Sequence, residues 1–197
     1  MILCFFGDSL TNGVGDPQAL GWAGRLLAAA RAAGHDVTGY NLGVRRHSSA
    51  AILARFEAET RCRVYEDQPM RLLFSFGVVD ALPKAGLPLE QTIANTRQIL
   101  ERSRALGQAL FVGPAPAADR RSSEAIAERG TAIAACCREL GVPYLDIFPE
   151  LQASELYLDE LVGGDGIHPG QAGYSHIFRL VNVWDAWRAW LQPPTTK

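Results

Sequence analysis

Short runs of β-branched and aromatic residues alternate along the chain with longer stretches in which apolar residues recur at helical spacing. That alternation predicts a parallel sheet covered on both faces by helices. Strands are expected at Ile2 to Phe6, Val37 to Leu42, Arg71 to Phe76, Ala109 to Val112 and Tyr144 to Ile147. Between and after them, helices are expected at about Trp22 to Ala33, Ser49 to Thr60, Leu89 to Leu106, Ser122 to Leu140 and Gln171 to Leu191. Gly34, Gly107 and Gly141 fall where three of these helices end, the position at which a left-handed residue closes the last turn. Right-handed crossovers leave few ways to connect such elements. The natural one is a flavodoxin-like three-layer α/β/α sandwich with a five-stranded parallel sheet in the order 2-1-3-4-5. No repeat, low-complexity stretch or linker interrupts the pattern, so residues 1–191 read as one domain and 192–197 as a tail.

Composition narrows the function classes. The 197 residues are 48% hydrophobic and 20% charged, with 19 basic against 21 acidic side chains. A net charge near −2 lacks the concentrated positive field that a nucleic-acid or anionic-membrane binder needs. No apolar run approaches the ~20 residues of a membrane helix, and there is no charged start followed by a long apolar stretch, so stable membrane insertion is not expected and a cytoplasmic location is. Cys4, Cys62, Cys136 and Cys137 show neither CxxC nor Cys/His metal spacing; they read as buried free thiols, and neither a metal nor a cofactor is expected. Trp184, Trp187 and Trp190 recur every three residues on the last helix, which predicts packing against the sheet, with a homodimer contact as the other reading.

In a sheet of this order the ligand crevice lies beyond the carboxyl ends of the strands. Ser9 follows the first strand directly, between Gly7-Asp8 and Leu10-Thr11-Asn12-Gly13, so a tight turn presents its hydroxyl to that crevice. A nucleophilic serine needs a base, and His168 in Gly164-Asp165-Gly166-Ile167-His168-Pro169 stands just before the last helix. Pro169 pushes His168 out of helical geometry and suits the first turn that follows. Asp165, three residues earlier across a glycine, can accept the Nδ1 hydrogen and leave Nε2 facing Ser9. Asp8 and Asp80 are expected to brace backbone near the site, and His35 and His176 to be structural. Arg45, Arg46 and His47 belong to the crevice rim, and Leu151 to Val162 could form a short helix over the site.

Gly7-Asp8-Ser9-Leu10 with Thr11-Asn12-Gly13, Asn41-Leu42-Gly43-Val44, and Asp165-Gly166-Ile167-His168-Pro169 together resemble the sequence blocks of the GDSL, or SGNH, hydrolases, in family order from residue 5 to residue 175. The resemblance implies esterase, thioesterase or lipase chemistry on a small-molecule ester, without a metal. Ser9 would be the nucleophile, His168 the base and Asp165 its orienter, with the Ser9 and Gly43 backbone N–H groups as oxyanion donors. One block departs: where the family has Gly-x-Asn-Asp, this chain reads Gly77-Val78-Val79-Asp80, so Val79 replaces the amide donor. A slow esterase with two backbone donors, a substitute donor such as Asn12 or Arg45, and a binding module that no longer hydrolyses its ligand all fit that departure. A phosphate or flavin binder using the Gly7 to Gly13 loop fits less well, because it leaves Asp165 and His168 without a role.

Overall fold

The strand Ile2–Gly7 (β1) carries no charged side chain and is buried at all six positions, as a strand covered on both faces must be. The computed structural model, which describes residues 1–84 and 86–192, places it beside two parallel neighbours. These are Thr38–Gly43 (β2) on one side and Met70–Ser75 (β3) on the other. Gln108–Val112 (β4) and the two-residue Tyr144–Leu145 (β5) complete an all-parallel sheet in the order β2-β1-β3-β4-β5, as the sequence pattern predicts. Register puts Gly7 level with Gly43 and Ser75, so three strands end together at one edge.

Alternation along β1 divides the core in two. Leu3 and Phe5 join Trp22, Leu26, Tyr174 and Trp187 on one face, whereas Cys4 and Phe6 join Phe56, Phe74 and Ile133 on the other. Each such side chain stabilises the fold by roughly 1.5–3 kcal/mol relative to leaving it in water. Most of the helices match their expected spans: Gly21–Ala32 (α2), Ser49–Arg61 (α3), Leu89–Ser103 (α5) and Arg120–Glu139 (α6). Two one-turn helices, Ser9–Asn12 (α1) and Val78–Ala81 (α4), sit directly after β1 and β3, too short to leave a periodic signal.

Three regions differ from the sequence reading. β5 stops at Leu145 because Asp146 Oδ1 takes the Phe148 N–H at 3.1 Å and turns the chain into Phe148–Gln152 (α7). Leu151 to Val162, expected as one short helix over the site, is split between the end of α7 and Glu155–Val162 (α8), whose Tyr157 and Leu161 are fully buried in the core. The last helix is two: Gln171–Asn182 (α9) and Asp185–Leu191 (α10), with Trp184 extended between them at φ −68°, ψ 126°. That break turns Trp187 onto Phe5, ring centroids 6.3 Å apart, and buries Trp190; the tryptophan stripe has the same spacing on both sides of the break, so periodicity alone cannot show it.

Cys4, Cys136 and Cys137 are buried free thiols, but Cys62 caps the exposed end of α3. Of the expected tail, Pro193 to Lys197 lie outside the described residues. Among the described residues no helix is long and apolar enough to cross a membrane.

Candidate active site

Ser9 is placed by the shortest route available, as the first residue of a helix that starts where β1 stops. Asp8 caps that helix: its Oδ1 accepts the Leu10 N–H at 2.9 Å and its main-chain oxygen the Asn12 N–H at 3.0 Å. So tight a turn has no space for a side chain at Gly7, where a Cβ would lie 2.0 Å from Thr11 Oγ1. As the first helical residue, Ser9 has a backbone N–H with no intrahelical acceptor.

The other end of the chain supplies the base. Asp165 Oδ1 accepts the backbone N–H groups of Ile167 at 3.1 Å and His168 at 2.9 Å, which folds the loop onto itself. Its Oδ2 lies 2.7 Å from His168 Nδ1, and His168 Nε2 lies 2.7 Å from Ser9 Oγ, across 159 residues of sequence. Desolvation pushes the Asp165 carboxyl upward, but the His168 N–H and imidazole and the Ile167 N–H outweigh it and hold it down at about 2. The His168 side chain is only 10% exposed and that of Asp165 50%, so the imidazole is shielded while its carboxylate partner meets solvent. With Nδ1–H donated to a carboxylate, Nε2 is the acceptor, the arrangement that can take a hydroxyl proton.

Several groups hold these loops, and sequence reasoning had singled out few of them. Glu160 on α8 receives the Ala172 and Gly173 N–H groups at 3.1 and 2.7 Å, closing the N-terminus of α9 four residues after His168. Arg55 on α3 donates to the carbonyls of Gly7 (3.2 Å) and Leu42 (2.7 Å) and to His47 Nδ1 (3.0 Å), tying the ends of β1 and β2. Beneath the site Asp80 accepts from the Ser49 N–H and hydroxyl and from Thr92 Oγ1, and Asn95 Nδ2 donates to Ser49 Oγ at 2.9 Å. The only sequence signal for that network is polar residues on the apolar faces of α3 and α5.

Asp8 and Asp80 brace backbone as expected. His176 Nδ1 lies 3.2 Å from Ser154 Oγ, a structural contact. Burial raises the Asp8 carboxyl to about 7, with nearby Asp80 adding to the rise, and its Oδ2 has no partner among the described residues.

The expected oxyanion donors are placed less simply. Gly43 lies beside the serine turn, so close that a Cβ would be 2.3 Å from Asn12 N, but its N–H already donates to Asn41 Oδ1 at 3.0 Å. The Asn12 amide donates to the Gly43 carbonyl at 3.2 Å. Val79 is 5% exposed on α4 and supplies no polar group, while Arg45 is exposed on the loop after β2. Arg46, next to it, holds a left-handed φ of 67°, a conformation that costs a non-glycine residue energy.

A model of the GDSL-like Lipase/Acylhydrolase family matches residues 5–176. None of the curated proteins compared matches the sequence. Similar solved structures include an acetylxylan esterase from Geobacillus stearothermophilus, with 18% identity and a TM-score of 0.76 over 91% of each chain. A lipase/acylhydrolase from Enterococcus faecalis matches with 20% identity and a TM-score of 0.77 over 99% of each chain. A member of the lipolytic G-D-S-L family from Veillonella parvula matches with 17% identity and a TM-score of 0.74, over 92% of this chain and 96% of that one. At such identities the structural likeness establishes the shared fold.

Proposed function

The chain belongs to the GDSL-like lipase/acylhydrolase family and is an ester hydrolase, and from that premise we propose that Ser9, His168 and Asp165 carry out the reaction through an acyl-enzyme. One observation carries the reading: His168 has one ring nitrogen 2.7 Å from the Ser9 hydroxyl and the other 2.7 Å from the Asp165 carboxylate. Ser9 Oγ attacks the acyl carbon as His168 Nε2 takes its proton. The tetrahedral intermediate then expels the alcohol, or the thiol of a thioester, which leaves with that proton. Water repeats the sequence on the acyl group and frees the acid and Ser9. Asp165 stays ionised throughout, holding the tautomer and stabilising the imidazolium.

The Ser9 N–H is the principal oxyanion donor. The Gly43 N–H contributes as a shared donor, because Asn41 Oδ1 also holds it. Val79 leaves the third position without an amide, and removing such a donor costs roughly 10²–10³ in kcat. The Asn12 amide is engaged with the Gly43 carbonyl, which leaves Arg45, exposed on the loop after β2, as the remaining candidate substitute. Slow turnover of small acyl esters follows, since the loops after β1 and β2 are short. Hydrolysis of 4-nitrophenyl acetate tests the reading: the chain turns it over, while Ser9→Ala and His168→Ala reduce the rate to background with unchanged Tm. Retained turnover in Ser9→Ala would overturn it.

A further inference from the structure

Arg71 stands on β3, the central strand of the sheet, in register with Leu3 of β1 and Gln108 of β4. A cation there must be paired or solvated, because desolvating a charge without compensation is costly. Yet Arg71 forms no ion pair within 4 Å among the described residues. Among the described residues its Nε is buried without a partner, and its Nη1 makes only a long 3.4 Å bond to the Met70 carbonyl. Partial burial lowers the pKa of the guanidinium, as an uncompensated cation requires.

The same side chain borders a cavity of about 1200 Å³ at the amino ends of the strands. Trp190 forms one wall, with the Arg71 guanidinium 5.8 Å from its ring centroid. Ala186 and Leu191, partly buried on the same face as Trp190, add apolar surface, while Arg104 and Asp36 are charged groups at the same cavity. β1 runs four residues from the level of Arg71 to Gly7, roughly 13 Å at 3.3 Å per residue, before the turn to Ser9, so this is the opposite end of the sheet from the catalytic crevice.

We propose that this cavity binds a monocarboxylate with a short aliphatic body, its carboxylate on the Arg71 guanidinium and its chain against Trp190, Ala186 and Leu191. A guanidinium fork matches the two oxygens of a carboxylate, and the aromatic face beside it holds the cation while covering apolar atoms. The apolar walls are what favour an alkyl carboxylate over inorganic phosphate, which has no aliphatic part to bury and is met elsewhere by several backbone N–H groups. The site does not depend on the Ser9 reading.

Titration of the full chain with sodium hexanoate, followed by thermal denaturation and calorimetry, tests it, with hexanol and inorganic phosphate as the matched probes. Hexanoate raises Tm and binds, and Arg71→Met weakens that binding by about 10–100-fold, the worth of a charged hydrogen-bonded contact. Arg71→Lys, which keeps the charge and loses the fork, lies between the two. Hydrolysis of 4-nitrophenyl acetate is unchanged in both variants. Equal binding to wild type and Arg71→Met would place the acid elsewhere, including the crevice at Ser9, and overturn the proposal. So would a response to phosphate as large as that to hexanoate, or no response to hexanoate at all. Without ligand, Arg71→Met keeps or raises Tm; a fall of roughly 6 °C or more would mean that the guanidinium is already satisfied within the chain, and would overturn it too.

Discussion

Tyr174 Oη donates a hydrogen bond to the Val14 carbonyl at 2.6 Å, joining the helix that follows His168 to the loop that follows Ser9. Ser9 and His168 are each fixed by a local turn, but the distance between them depends on how α9 docks against the start of the chain. Tyr174 is fully buried, so its hydroxyl must find a partner there, and burial drives its phenol well above the ordinary range. Tyr174→Phe leaves the Val14 carbonyl unpaired, at a cost of about 1 kcal/mol, and lowers Tm by roughly 2–4 °C. Kinetics with 4-nitrophenyl acetate then show kcat falling while KM holds. An unchanged kcat would mean that the serine and histidine loops keep their register without this bond.

Glu160 secures the same helix from its other side. Its two oxygens accept consecutive N–H groups at the start of α9, so Glu160→Ala removes both a cap and a favourable charge at a helix N-terminus. The expected loss is about 1 kcal/mol, again a few degrees in Tm, and Glu160→Gln recovers part of it through its remaining carbonyl oxygen. Thermal denaturation of the two variants side by side decides the matter.

Val79→Asn restores the amide that the family block carries at this position. If the position lacks only a donor, kcat rises by at least about 10-fold and by up to the ~10²–10³ that one such donor is worth. Val79 is 5% exposed, and an amide placed there loses part of its hydration, so Tm falls in the same variant. A folded variant with no gain in kcat would show that another group, Arg45 first among them, already fills the role.

Asp8 makes stability depend on pH. Its carboxyl is raised from 3.8 to about 7, chiefly by burial, so across that interval the unfolded chain has released a proton that the folded chain still holds. The unfolded state is favoured increasingly as pH rises from about 4 to about 7, and the difference is constant above that. Asp8→Asn keeps an oxygen for the Leu10 N–H and removes the titration. Its Tm relative to wild type therefore rises between pH 4 and pH 7 and then levels; a parallel pair of profiles would exclude the linkage.

The sheet order and the meeting of Ser9 with Asp165 and His168 were legible because both rest on short-range signals. Gly7-Asp8-Ser9 follows an apolar strand and Asp165 to Pro169 precedes a helix, and the topology carries those two ends to one edge. Glu160, Arg55 and Tyr174 gave no such signal. Each reads as an ordinary helix residue, and the backbone groups it binds lie 12 or more residues away, known only once the helices are packed. The Ser49–Asp80 contact spans 31 residues and the Asn95–Ser49 contact 46, so that network too is a product of tertiary packing. Asn41 was legible as part of a motif, but its hold on the Gly43 N–H depends on a side-chain rotamer that no spacing encodes.

The central claim is that Ser9 is an activated nucleophile, and reaction with a fluorophosphonate probe tests it most directly. Intact mass of the treated protein shows one adduct in the wild type and none in Ser9→Ala. A folded wild type that takes no label, or a Ser9→Ala variant that takes the same label, would contradict the account.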